Sequence, residues 1–195
     1  MKAIVVTDQA AGTAGMKLVE RPEPQAAIND VVVQVHASGF VPTELAWPST
    51  WTDRLDRDRT PSIPGHELAG VVTALGYGTT GLSVGQRVFG LTDWTRDGTL
   101  AEYVAVEARN LAPLPGDVDF TEGAALVMPG LTAWQGLFEH GRLRAGQSVL
   151  VHGAAGVVGS MATQLAREAG AYVIGTGRAA GRQTALDFGA QEFVD

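Results

Sequence analysis

Short apolar runs, each closed by glycine, proline or a small polar residue, fill the first hundred or so positions of the chain. Val31-Val32-Val33-Gln34-Val35-His36-Ala37 lies between Asn29-Asp30 and Ser38-Gly39. Its β-branched content and clean boundaries predict a strand. Leu68–Leu75 and Arg87–Leu91 repeat the pattern, and Gly76, Gly78, Gly81 and Gly85 mark the turns between them. Glu102–Val106 alternates in character and predicts another strand, and Ala3–Val6 a first one. Many short strands at close spacing point to a β-barrel or sandwich. Only Pro48–Pro61 (PSTWTDRLDRDRTP) breaks this rhythm, and its polarity reads as a solvated loop.

Near Pro115-Gly116 the period changes. Residues 120–126 and 131–138 space their apolar positions as helices do, with Ala124, Ala125, Leu131, Ala133, Trp134 and Leu137 as contributors and Trp134 as a core residue. A strand at Ser148–His152, a helix at Val157–Ala169 and a strand at Tyr172–Gly175 then make one βαβ unit, which implies a parallel sheet. The expected organisation is a β domain over residues 1–117 and an α/β domain over 118–195.

A length of 195 residues fits one to two domains at about 150 residues each. A net charge of −7 and a pI near 5.0 argue against a phosphate-backbone partner. The apolar burst at Ala3–Val6 is too short for a signal or spanning segment, and there is no cationic amphipathic helix. Neither nucleic acid nor membrane is expected as a partner, and a cytoplasmic location is the default. No cysteine is present, which removes disulfides, thiol nucleophiles, thiolate zinc sites and iron–sulfur clusters together.

Gly153-Ala154-Ala155-Gly156-Val157-Val158-Gly159 falls between the predicted strand and helix of the βαβ unit. Glycines there allow close backbone approach, and the free amides at the helix start suit a pyrophosphate. The plainer alternative is a flexible turn. An NAD site carries Asp or Glu about 20 residues further on. Here the next strand runs into Gly175-Thr176-Gly177-Arg178, with Arg182 four residues later. A guanidinium clamps a 2′-phosphate, so NADPH is the expected cofactor. Two surface arginines after a strand are the other reading.

Pro64-Gly65-His66-Glu67-Leu68-Ala69-Gly70 looks like part of a metal site. Together with Gly85-Gln86-Arg87-Val88-Phe89-Gly90, Gly130-Leu131-Thr132-Ala133-Trp134 and the glycine turn, in this order, it makes the chain resemble the medium-chain dehydrogenase/reductase superfamily. The likeness is to its zinc-independent, quinone oxidoreductase-like branch. The resemblance implies a GroES-like β-barrel domain followed by a Rossmann domain, with hydride transfer in the cleft between them. In the zinc-dependent branch a cysteine ligand stands where this chain has Val41, and another where it has Met128, while His66 and Glu67 match the histidine ligand and its neighbour. Valine and methionine are not zinc ligands, so no metal is expected. His66 and Glu67 are then expected as a hydrogen-bonded or ion-paired group.

On this resemblance the reaction is reduction of a small hydrophobic carbonyl or quinone by NADPH. Thr43 and His66 are the candidate catalytic donors, with the Trp94 indole as a further one. Phe40, Val41, Trp47 and Trp51 are candidate wall residues. Thr132, Ala154, Ala155, Gly156, Val157, Val158, Gly159, Thr176, Arg178 and Arg182 are the candidate cofactor contacts. A homodimer is common among such proteins. A zinc-free alcohol or aldehyde dehydrogenase, or a non-catalytic NADPH-binding protein, stays open beside the reductase. Two full domains of this kind want about 300 residues, so the Rossmann domain is expected to be incomplete, the chain ending as its third strand begins at Gln191–Asp195.

Overall fold

In the computed structural model, which describes residues Met1–Asp195, β1 (Lys2–Val5) and β2 (Lys17–Glu20) pair antiparallel as a two-stranded ribbon. Five further strands, β3 (Asp30–Gly39), β4 (Glu67–Leu75), β5 (Arg87–Leu91), β6 (Tyr103–Glu107) and β7 (Leu111–Pro113), form one antiparallel sheet in the order β6-β3-β4-β5-β7. Single bridges from Ala3 to Ala101 and from Val6 to Ser62 tie the ribbon region to the loops around that sheet.

Chain connectivity dictates the shape of the sheet. β6 and β7 are its two outer strands, yet only the 3₁₀ turn Ala108–Asn110 joins them. Four strand spacings in a flat sheet cover about 19 Å. The four steps from Glu107 to Leu111 reach at most about 14 Å. The sheet therefore has to curl until its edges approach, as in a barrel. Register shifts between Val32 and Val33 and between Val35 and Ala37 bend β3 accordingly.

Inside the curl lie Val31, Val33, Leu68, Val72, Val88, Val104 and Val106, all buried. Alternate residues of β3, β4 and β6 supply six of them and β5 supplies Val88, as pleated strands require. Full burial of Leu68 alone stabilises by about 2 kcal/mol. A smaller cluster of Ala69, Leu114 and Ala124 packs the start of the following helix against this unit.

The segment expected as a solvated loop is more ordered than its polarity suggested. It holds the single-turn helix α1 (Pro48–Trp51) and a bridge between Thr52 and Asp58. Thr50 is buried, and the Trp51 indole donates to the Leu45 carbonyl at 2.8 Å. Interior contacts of these two side chains fix the first half of the segment, and Asp53 and Asp58, accepting the amides of Leu55, Arg57 and Thr60, fix the charged turn that follows.

Contacts divide the chain into two compact units, Met1–Val127 and Met128–Asp195, with the division inside α2 (Phe120–Trp134). The two separate helical stretches read from the sequence are one helix continued by a wide π-turn at Gln135–His140. Pro129 sits inside it, and Thr132 Oγ1 donates to the Met128 carbonyl at 2.7 Å. Trp134, expected in the core, is half exposed and packs on Phe138. Ala133 and Leu137 hold the buried face, and Trp134 lies one residue, about 100°, round the helix.

The second unit continues with β8 (Ser148–His152), α3 (Val157–Glu168), β9 (Tyr172–Thr176), α4 (Arg182–Asp187) and β10 (Glu192–Val194). Its strands pair in parallel in the order β10-β9-β8. Small residues dominate the core, where Ala154, Ala162, Ala166, Ala171, Ala185 and Ala190 surround Val173 and Phe193. Such residues let α3 and α4 lie close on the sheet.

Candidate functional site

His66 is placed by the two residues before it. Pro64 restricts the backbone, and Gly65 adopts φ +89°, where a side chain is strained and a Cβ would meet Thr99 Oγ1 at 2.6 Å. The turn delivers His66 to the foot of β4, 2 % exposed. Its Nδ1 lies 2.7 Å from Glu44 Oε2. Glu44 belongs to the 3₁₀ turn Pro42–Ala46 and is wholly buried. Its carboxylate also accepts the Gly65 amide on Oε2 and the Val41 amide on Oε1, each at 3.2 Å.

Two indoles flank the imidazole. The Trp94 ring centre is 4.7 Å from that of His66, the Trp47 centre is 5.7 Å away, and the two indoles meet edge to face at 5.3 Å. Trp47 is half-buried, while Trp94 is 40 % exposed. His66 Nε2 has no hydrogen-bond partner in the protein, and it is not among the buried, unpartnered side-chain atoms, which are Thr92 Oγ1 and Thr163 Oγ1. It therefore keeps contact with solvent.

The loop bearing Trp94 is held along its length. The Thr92 amide donates to the His66 carbonyl at 2.8 Å, and the Gly98 amide to the Ile63 carbonyl at 2.7 Å. Asp93 accepts from the Thr95 amide and hydroxyl and pairs with Arg54. Burial pushes the Asp93 carboxyl up, but the Thr95 bonds and Arg54 outweigh it and leave the group below the usual carboxylate range. Arg96 grips buried Asp30 through both guanidinium nitrogens at 2.6 and 3.2 Å, and these bonds hold its pKa above the ordinary arginine value.

The other residues singled out in this unit stand apart in character. Glu67, buried at the start of β4, sets its carboxylate against Gly39, where a Cβ would come within 2.3 Å of Oε2. His36 is exposed and stacks on Phe120 at 4.4 Å. Thr43 is exposed beside Glu44. No three His, Asp or Glu side chains converge on a point able to hold a metal ion. Glu44 was the residue the sequence concealed. It lies 22 positions from its partner, and its only local signal is the three-residue spacing from Val41 that closes a capping turn.

In the second unit, Gly153 turns the chain with φ +68° after β8, and α3 begins at Val157 behind Gly156. A Cβ on Gly159 would lie 2.0 Å from the Gly153 carbonyl oxygen, so only glycine lets the helix start this close to the strand end. The amides of Val157, Val158 and Gly159 open the helix and have no partner within it. Ala154 is buried beneath the turn, its amide bonded to the Thr176 carbonyl at 3.0 Å, and Ala155 is half-buried. Thr176 Oγ1 meets His152 Nδ1 at 2.8 Å across the strand ends. Beyond β9 come Gly177 and exposed Arg178, with no carboxylate before Arg182, whose guanidinium lies over the Phe193 ring at 5.0 Å. Thr132 is exposed, its hydroxyl engaged by the Met128 carbonyl. A turn that excludes a Cβ at Gly159 and opens on free amides fits a dinucleotide pyrophosphate.

Residues 27–116 match the alcohol dehydrogenase GroES-like domain family. Rat quinone oxidoreductase is 40% identical over 172 residues, which are 88% of this chain and 50% of the rat protein. The solved quinone oxidoreductase of Pseudomonas syringae superposes with a TM-score of 0.88 at 31% identity, covering 100% of this chain and 58% of that one. A mycobacterial protein solved in complex with NADPH superposes with a TM-score of 0.86 at 31% identity, again covering 100% of this chain and 58% of the other. The chain thus spans about half the length of the rat relative it matches. Residues 27–116 thus match the GroES-like domain of alcohol dehydrogenases, and on its relatives and shared architecture the chain is similar to the quinone oxidoreductase-like branch of the medium-chain dehydrogenase/reductase superfamily.

Proposed function

We propose that the protein is a zinc-independent oxidoreductase that uses NADPH to reduce a quinone or an α,β-unsaturated carbonyl. The observation that carries this reading is the glycine cradle between β8 and α3, followed by a strand end without a carboxylate. Residues 118–195 act as the cofactor-binding domain and residues 1–117 as the substrate domain. NADPH, when bound, supplies hydride to an electron-poor carbon.

The chain's own groups do the rest. The amides of Val157, Val158 and Gly159 take the pyrophosphate, with Ala154, Ala155 and Gly156 shaping the turn beneath it. Arg178 and Arg182 bind the 2′-phosphate, a role that a carboxylate at this strand end would oppose by charge. Thr176 adjoins them, and Thr132 is a nicotinamide-side contact. His66 donates to the acceptor oxygen as charge develops there, with Thr43 as a second donor. Reduction of an activated acceptor of this kind proceeds without a Lewis acid. No helix is long and apolar enough to cross a membrane, and a cytoplasmic enzyme acting on small hydrophobic acceptors, as a homodimer, completes the reading.

The test mixes the full-length protein with NADPH and a panel of quinones and enones, with and without chelator. NADPH oxidation that survives the chelator supports the proposal. Tight NADPH binding without turnover points to a binding protein, and chelator-sensitive alcohol oxidation refutes the zinc-free assignment.

A further inference from the structure

We propose that Glu44 is a positioning residue that keeps His66 doubly protonated, so that Nε2–H is the proton source for the acceptor oxygen. The inference rests on the reductase reading and gives that site its acid. Four observations converge on it. Glu44 is fully buried, and a lone carboxylate with only two amide donors is costly there without a countercharge. The imidazole 2.7 Å away is the group in contact that can carry one. The indoles of Trp47 and Trp94 present aromatic surface to the same ring, and aromatic faces favour a cation. Finally, Nδ1 is committed to Glu44 while Nε2 is unpartnered and solvent-accessible, so the ring is anchored at one nitrogen and offered at the other.

Other charges around the ring are already balanced or turned aside. Asp93 pairs with Arg54, and Arg59 donates to the Ser49 and Trp94 carbonyls and lies 3.8 Å from Asp97. Glu67 directs its carboxylate to Gly39. Glu44 is therefore the charge that His66 answers.

The step itself is a proton transfer. The Nε2–H bond breaks as an O–H bond forms on the enolate or hydroquinonate oxygen, cancelling its negative charge. His66 is left neutral with Nδ1–H still held by Glu44. A solvent proton then reloads Nε2, the ring nitrogen that retains accessible surface.

The experiment is nitrogen-15 NMR of histidine-labelled full-length protein at pH 7, read beside steady-state kinetics. Both ring nitrogens of His66 are expected to carry protons in the unaltered protein. Glu44→Gln is expected to lose one of them and to lower kcat for the acceptor by ~100-fold, with NADPH affinity unchanged. Glu44→Asp, which keeps the charge, is expected to recover the second proton. A singly protonated His66 with normal turnover overturns this inference alone. Doubly protonated His66 in a protein that binds NADPH but reduces no acceptor overturns the reductase reading and the donor role with it. If Glu44→Gln does not fold, the spectrum of the unaltered protein still decides the protonation state.

Discussion

Gly159→Ala is the most direct perturbation of the glycine cradle. The new Cβ would stand 2.0 Å from the Gly153 carbonyl oxygen and 2.7 Å from its carbon, where separations under 3.0 Å are essentially never found. Both atoms are backbone, so the turn has to open by about 1 Å at the end of β8, since no flexible side chain can yield instead. Overpacking of this kind costs about 2–3 kcal/mol. For a chain of this size that lowers Tm by roughly 5–10 °C. Opening the turn also misaligns the amides of Val157 and Val158. Two lost charge-assisted hydrogen bonds, at about 1.5 kcal/mol or more each, weaken NADPH at least about 100-fold. Thermal unfolding by circular dichroism and NADPH titration by fluorescence measure the two effects. Gly156→Ala is the internal comparison, since its Cβ would stop 3.1 Å from the same oxygen and should lower stability by about 1 kcal/mol or less. A Gly159→Ala protein that melts within 2 °C of the unaltered one (about 1 kcal/mol or less) and binds NADPH equally well refutes the cradle.

Three further outcomes are expected. Arg178→Ala should weaken NADPH by about 10–100-fold, the value of one charged contact, and leave NADH nearly unchanged; equal losses exclude a 2′-phosphate contact. Asp30→Asn removes the buried carboxylate from Arg96, which keeps Glu107 at 3.4 Å, and should cost about 1.5–3 kcal/mol in urea unfolding; a cost under about 1 kcal/mol contradicts the pairing. The Asp53 carboxyl is lowered from 3.8 to about 2, chiefly by the Arg57 side chain and then by the amides of Arg57 and Leu55. A depressed folded value means the stabilisation is complete above 3.8 and disappears as pH falls through about 2. The Leu55 amide resonance should titrate with a midpoint near 2, and a midpoint near 4 counts against the bonds.

Legibility in the sequence followed the strength of local signals. β5 and β8 could be bounded to the residue because short apolar runs end there at a glycine or a small polar residue. β2 and β7 left no such mark, the first being four residues with two charges and the second three residues ending in Pro113. The stretches 120–126 and 131–138 read as two helices, yet the helix runs on through Pro129. The glycine turn was readable because each of its constraints is local, from the φ of Gly153 to the contact between Gly153 and Gly159. His66 announced itself through PGHE, but its partner did not. Glu44 stands among Val41, Pro42, Thr43 and Leu45 with nothing to set it apart, and only the tertiary fold brings its carboxylate to the imidazole.

Placing β6 and β7 on opposite edges has a consequence for how the chain is made. As it emerges in synthesis, β3 pairs with β4 early, but β6 arrives only after residue 103 and the last strand only at residues 111–113. Until then the outer side of β5, Val88-Phe89-Gly90, offers unpaired backbone groups to any neighbouring strand. A nascent chain stalled or cleaved before Leu111 is thus an aggregation template, while three more residues seal it. Long-range pairing of this order also slows folding. The vulnerable species is the nearly finished barrel, and a chaperone that holds the chain through Pro113 protects the step that matters.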